Sequence, residues 1–158
     1  MRVSNSMQLR IQVLRATVFL AVARFLVRFV PLRIWRSSLG VVDDAPALID
    51  WTQRQCDLAT LRRALTIGRV VDRAAEILPG LSRCLPKAVA LQWILRMSGI
   101  PAALVIAFHL EDRTGSDAYH AWVERDGEML VGQCDRESYR AILTFVTGAR
   151  PVQASSPR

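Results

Sequence analysis

Tyr119-His120-Ala121-Trp122-Val123-Glu124-Arg125-Asp126-Gly127-Glu128-Met129-Leu130-Val131-Gly132 reads as two strands joined by a two-residue turn. Asp-Gly between apolar runs is a strong hairpin signal, because both central residues of the tight turn need positive φ. In this register Arg125 pairs with Glu128, and His120 falls opposite Gln133. Alternation places His120, Trp122 and Glu124 on one face, and Tyr119, Ala121 and Val123 on the other. Upstream, Ala103 to Leu110 is almost unbroken in apolar character and reads as a strand covered on both faces. Glu111 to Asp117, around Gly115, reads as the polar loop between them.

Everything before these strands has helical periodicity. Apolar residues at Leu58, Leu61, Leu65, Val70, Val71, Ala74 and Ile77 mark a helix running from about Leu48 to Leu78, with a break expected near Gly68. Pro79-Gly80 reads as a turn, and Val41 to Pro46 as irregular chain. A further helix starts near Cys84 and stops at Met97-Ser98-Gly99, where Gly99 suits a C′ position and Pro101 forbids continuation. Helices first and strands afterwards define an α+β fold: N-terminal helices followed by a small antiparallel sheet. The expected division is an N-terminal apolar helix over 1–40, packed on or beside the core, a catalytic domain over 41–148, and a Pro- and Ser-containing flexible tail over 149–158.

The N-terminal segment from Ile11 to Leu32 is apolar enough to suggest a membrane span, but Arg15, Arg24 and Arg28 interrupt it. Arg10, Thr17, Arg24 and Arg28 fall near one helical face, a polar stripe on an otherwise apolar helix. The segment reads as a long core helix, with peripheral membrane contact as its alternative and Pro31 as its end or kink. Of the 21 basic residues only Lys87 is a lysine. No basic run is interleaved with aromatics, so no nucleic-acid surface is expected. The three cysteines, Cys56, Cys84 and Cys134, are odd in number and widely spaced. That pattern speaks against a disulfide framework and for a reducing, cytoplasmic setting.

Cys84 is the residue whose position carries chemistry. A thiolate is the reactive form of cysteine, and a helix N-terminus favours negative charge through its unpaired N–H groups and dipole. The N–H groups of Cys84 and Leu85 would suit an oxyanion. His120, where a loop becomes a strand, is a candidate general base to that thiol. Asp135 is the first candidate to orient the imidazole, and Gln133 is the second. His109, at the end of an apolar strand, reads as structural. Cys84, His120, Cys134 and Asp135 could in principle hold zinc, but their spacing matches no usual structural motif, and no metal or organic cofactor is expected. The bland alternative is that Cys84 is a small buried hydrophobe at a helix start.

The residues Ser82-Arg83-Cys84-Leu85-Pro86-Lys87-Ala88-Val89-Ala90-Leu91-Gln92, then Gly99-Ile100-Pro101 leading into a strand, then His120-Ala121-Trp122-Val123-Glu124 with Asp126-Gly127, resemble the lasso-peptide leader peptidases. These belong to the transglutaminase-like branch of the papain-like cysteine enzymes. The resemblance covers roughly residues 65 to 145. It implies a Cys-His-Asp protease that removes the leader from a ribosomally made precursor, with Cys84 as nucleophile, His120 as base and Asp135 as orienter. It also implies partners: the precursor leader peptide, a separate small leader-recognition protein, and a lasso cyclase. Two other classes stay open, a transglutaminase-like acyl transferase and a non-catalytic peptide-binding member of the fold.

Overall fold

Pro31 divides the N-terminal apolar segment, since its ring fixes φ and it cannot donate to a helix that runs through it. In the computed structural model, which describes residues 2–43, 57–77, 83–111 and 118–148, helix α1 (Arg2–Phe29) stops before this proline. A one-turn helix α2 (Leu32–Trp35) and a 3-10 turn (Arg36–Ser38) follow. Tryptophan contacts close this corner. Trp35 Nε1 donates to the Val30 carbonyl at 3.1 Å, Trp93 Nε1 donates to Ser38 Oγ at 2.9 Å, and the two indoles meet edge to face at 6.1 Å.

The remaining elements are β1 (Val41–Asp43), α3 (Leu58–Ile77), α4 (Cys84–Met97), β2 (Ala103–His109), β3 (Tyr119–Arg125), β4 (Glu128–Val131), a second 3-10 turn (Arg136–Ser138) and β5 (Tyr139–Val146). The fold is α+β, with one antiparallel sheet ordered β1-β5-β2-β3-β4. Two strands were not legible as strands. Val41–Asp43, expected to be irregular, pairs with the end of β5. Strand β5 itself carries no clean alternation: its burial runs from half-exposed at Tyr139 to fully covered at Phe145. Its register against β2 also slips by one residue near Ile106 and Ala107, which leaves Ile142 exposed.

Helix α3 runs unbroken through Gly68, against the expected interruption. The glycine is there for proximity, since a Cβ at that position would sit 2.3 Å from the Leu130 carbonyl oxygen of β4. Asp57 opens the helix: its carboxylate accepts from the Ala59 N–H at 3.0 Å and from Thr60 Oγ at 2.5 Å, and this bonding to Thr60 first, then Ala59, holds its carboxyl below the usual range. The Leu48 start expected for the helix, the Pro79-Gly80 turn, the polar loop centred on Gly115 and the tail beyond 148 lie outside the described residues.

Helix α4 ends in a Schellman motif. The Ile100 N–H donates to the Leu95 carbonyl at 2.9 Å, the Gly99 N–H to Arg96 at 3.1 Å, and Gly99 holds φ of 67°. One side of the sheet is covered by α1, α3 and α4, and the core there includes Leu20, Val71, Val89, Leu91, Leu104, Val123 and Phe145. Helix α1 shares that core through Ala16, Leu20 and Ala23. A smaller cluster on the opposite side of the sheet gathers Val105, Ala107 and Trp122 with Met129, Cys134, Tyr139 and Ala141.

Gln92 lies at the centre of α4, fully buried, and its Nε2 donates to three backbone carbonyls: Leu39 at 3.0 Å, Phe145 at 3.0 Å and Ala102 at 3.4 Å. It therefore joins the chain before β1, the end of β5 and the entry to β2.

Two substitutions test this packing. Gly→Ala in a helix ordinarily gains about 1 kcal/mol. Gly68→Ala is expected to reverse that sign and lose about 1–3 kcal/mol in urea unfolding, because rigid backbone meets the new methyl. Gln92→Leu, which conserves volume but removes the shared donor, is expected to cost about 2 kcal/mol in the same assay through carbonyls left without a partner.

Candidate active site

Five residues, 98 to 102, connect α4 to β2, so the helix must run back antiparallel over the sheet. Its first turn then lies at the far end of β2, where Ala107 pairs with His120 and Phe108 with Tyr119. That reversal brings Cys84 and His120 to the same end of the sheet, 36 residues apart in sequence.

Cys84 is the first residue of α4 and half-buried against the main core. The preceding Arg83 is extended, with φ of −64° and ψ of 141°, and contributes no side-chain cap. No acidic residue occupies the first turn. The first N–H that closes a backbone bond is that of Lys87, to the Arg83 carbonyl at 3.3 Å. Pro86 has no N–H to leave unpaired, which is why a proline is tolerated in this turn. The N–H groups of Cys84 and Leu85 thus emerge at a helix start where a negative oxygen is favoured. One turn further on, Lys87 Nζ pairs with Asp72 at 3.0 Å and fastens this end of α4 to α3.

His120 is half-buried near the start of β3. Its Nε2 lies 3.0 Å from the Gly132 carbonyl oxygen. A carbonyl only accepts, so this contact requires the proton on Nε2 and leaves Nδ1 as the basic nitrogen of the neutral ring. The ring also packs against Tyr139 at 5.3 Å and Trp122 at 6.4 Å between centroids.

Gly132 reaches this position because it holds φ of 78°, and a Cβ there would fall 2.5 Å from the Ala121 carbonyl oxygen. The hairpin turn has φ of 50° at Asp126 and 83° at Gly127, as an Asp-Gly turn requires. Arg125 pairs with Glu128 as the sequence register expects, but the ladder slips between Val123 and Glu124, so Val131 faces Val123. This bulge overturns the expected placement of His120 opposite Gln133. The Gln133 amide turns instead to the Met129 carbonyl, at 3.2 Å.

Asp135 caps the second 3-10 turn. One carboxylate oxygen accepts from the Glu137 N–H at 3.2 Å, the other from Ser138 Oγ at 2.8 Å. The side chain is exposed, and among the described residues no hydrogen bond joins it to His120. Nor does one join Cys84 to His120. Alternation puts the His120 ring on the side of the sheet opposite the main core, with Trp122 and Tyr139, whereas Cys84 packs on the core side.

Cys134 is half-buried, two residues beyond Gly132. It belongs to the smaller cluster with Trp122 and Tyr139. Burial pushes its thiol up; the Arg136 guanidinium opposes this, while Asp135, Cys84 and Glu124 each add to the rise. The segment that carries Cys134 is pinned by a polar relay: Trp122 Nε1 donates to Glu124 at 2.8 Å, and Arg136 pairs with the same Glu124 oxygen at 3.1 Å and donates to the Gly127 carbonyl at 2.8 Å.

Sequence reasoning missed the Gly132 carbonyl, because a backbone acceptor has no residue type. It also missed Tyr139, whose strand was not recognised. Among the described residues no three His, Cys, Asp or Glu side chains gather as a metal site. His109 stands on Tyr139 at 4.9 Å and accepts from the Glu111 N–H at 3.2 Å.

The chain belongs to the transglutaminase-like superfamily, whose profile matches residues 26–144. That span begins within α1 and ends within β5, so it includes Cys84, His120 and Asp135. Comparisons with curated proteins and with solved structures gave no match.

The ring geometry has a direct spectroscopic consequence. Nitrogen-15 spectra of the imidazole are expected to show the neutral form of His120 predominantly as the Nε2–H tautomer. A predominant Nδ1–H form would contradict the Gly132 contact.

Proposed function

We propose that this protein is a cysteine peptidase that removes the leader from a ribosomally made lasso-peptide precursor. The observation that carries the catalytic part is Cys84 at the uncapped start of α4, brought by chain reversal to the end of the sheet that holds His120. The choice of a leader peptide as substrate rests on the resemblance of the Cys84, Gly99-Ile100-Pro101 and His120 stretches to leader peptidases.

In the proposed reaction, His120 Nδ1 takes the proton of the Cys84 thiol. The sulfur attacks the carbonyl carbon at the leader–core junction, and the carbonyl oxygen becomes an oxyanion held by the N–H groups of Cys84 and Leu85. Collapse of the tetrahedral intermediate breaks the C–N bond, and the imidazolium returns its proton to the departing core amine. Water, deprotonated by the same imidazole, then hydrolyses the thioester and frees the leader carboxylate. For this to happen the His120 ring and the Cys84 sulfur, which lie at one end of the sheet but on opposite sides of it, must be brought together around that end when peptide binds. The Gly132 carbonyl fixes the ring, and Asp135 shapes the turn behind it. A separate leader-recognition protein would present the substrate, and a cyclase would take up the freed amine.

An acyl transferase of the same superfamily would form the same thioester and pass it to an amine. The two readings separate by mass spectrometry of a precursor incubated with the enzyme, a recognition protein and added hydroxylamine. Peptidase action yields mainly the free leader acid, whereas a transferase yields mainly the hydroxamate.

With the same substrate, Cys84→Ala and His120→Ala are each expected to lower single-turnover cleavage by at least about 10²-fold, the scale of a lost nucleophile or general base. Cys134→Ser is expected to retain activity within about threefold, since burial disfavours its thiolate. Asp135→Ala is expected to cost less than about tenfold, because its carboxylate is occupied by the 3-10 turn. Full activity of Cys84→Ala would remove the nucleophile and with it the proposal.

A further inference from the structure

Helix α1 is apolar on two opposite faces. One face, through Ala16, Leu20 and Ala23, is fully buried in the core. The other carries Ile11, Leu14, Val18, Val22, Phe25 and Phe29, each between 46% and 67% exposed. At about 100° per residue these six side chains fall within a stripe roughly 80° wide, centred opposite the buried face, and it runs about 27 Å along the helix. A monomeric soluble domain seldom leaves an unbroken row of large apolar side chains in water.

The charge beside this stripe has one sign. Arg15 flanks it on one side, Arg10 and Arg28 on the other. The first 42 residues hold seven arginines and no Asp or Glu, and the rest of the chain is balanced at 14 basic against 14 acidic residues. The whole net charge of +7 therefore sits on this segment. Arg28 folds over the Phe29 ring of the stripe at 5.5 Å, and Arg15, at the other flank, lies over Phe19 at 5.8 Å and 3.8 Å from the Met97 sulfur at the end of α4. A groove of about 550 Å³ opens beside the stripe between α1 and α3. Its walls include Leu14, Val70 and Ile77, and its polar lining includes Arg10, Arg69 and Arg73.

We propose that the outer stripe of α1 is a docking surface for the anionic leaflet of a lipid bilayer, on which the protein lies without crossing it. No helix among the described residues is long and apolar enough to span a membrane. A second copy of the chain would set the flanking arginines against one another with no acid on the helix to pair with them. A bilayer surface offers acyl chains to the stripe and negative headgroups to arginines on both flanks at once. The core face of α1 points the other way, so the domain stays on the aqueous side. The inference is independent of the reaction at Cys84.

Co-sedimentation of the full chain with vesicles tests it. The vesicles are equimolar phosphatidylglycerol and phosphatidylcholine, or phosphatidylcholine alone. Binding to the anionic vesicles is expected to be at least tenfold tighter and to weaken steeply with salt. The double substitution Val18→Asn and Phe25→Asn, and separately Arg15→Gln with Arg28→Gln, should each weaken it at least tenfold. Both pairs are solvent-exposed, and an unchanged circular dichroism melt checks the fold; if the asparagine pair unfolds, the arginine pair decides alone. Equal binding by wild type and folded variants would overturn the proposal. So would absence of vesicle binding, whether light scattering then shows a dimer, which assigns the stripe to a second copy, or a monomer, which assigns it to an acidic protein partner.

Discussion

The amide of Gln92 holds together segments that lie far apart in the chain. Its nitrogen donates to carbonyls before β1, before β2 and within β5. Most polar groups with no access to water make their bonds inside the fold. Because backbone carbonyls are fixed by the sheet, the amide fixes the helix in return, in both rotation and depth. Cys84 sits two turns earlier on that helix. The position of the thiol is thus set by a bond at the middle of the core, together with the Lys87–Asp72 pair near the surface. The Oε1 of Gln92 has no partner among the described residues, so the donor side of the amide is what the fold uses.

Sequence pattern made some of this legible and not the rest, for reasons tied to range. The Asp126-Gly127 turn, the Gly99 stop and the start of α4 at Cys84 are local: each depends on backbone geometry within four or five residues. The α+β order was legible for the same reason. Strands β1 and β5 were not, because each is defined by its partner more than by its own alternation. The bulge near Val123 shows the cost within the site. One slipped residue moved the expected partner of His120 from Gln133 to the carbonyl of Gly132. Gly68 is a related case, where a residue that locally weakens a helix is required by a strand from 62 positions away.

Arrangement at the site follows a division of labour between side chains and backbone. The atoms suited to stabilising charge, the N–H groups of Cys84 and Leu85 and the Gly132 carbonyl, are all backbone, and each is placed by a structural necessity: a helix start in the first case, a positive-φ glycine in the second. Acidic side chains nearby are turned to mechanical work. Asp135 caps a turn, and Glu124 joins Trp122 to Arg136.

The position of α1 adds a constraint that neither the core nor the reaction demands. A helix needed only for packing requires one apolar face, and its outer side is free to be charged. Here the outer side is apolar over several turns, while the charges are displaced to the flanks and are all positive. Folding alone gains little from that outer row, because about half or more of each side chain remains exposed in the folded chain. Seven arginines in 42 residues without an acid also repel one another, a cost that a neutralising surface would relieve. The two features coincide on one helix and share one explanation, a partner that is apolar along its middle and negative along both edges.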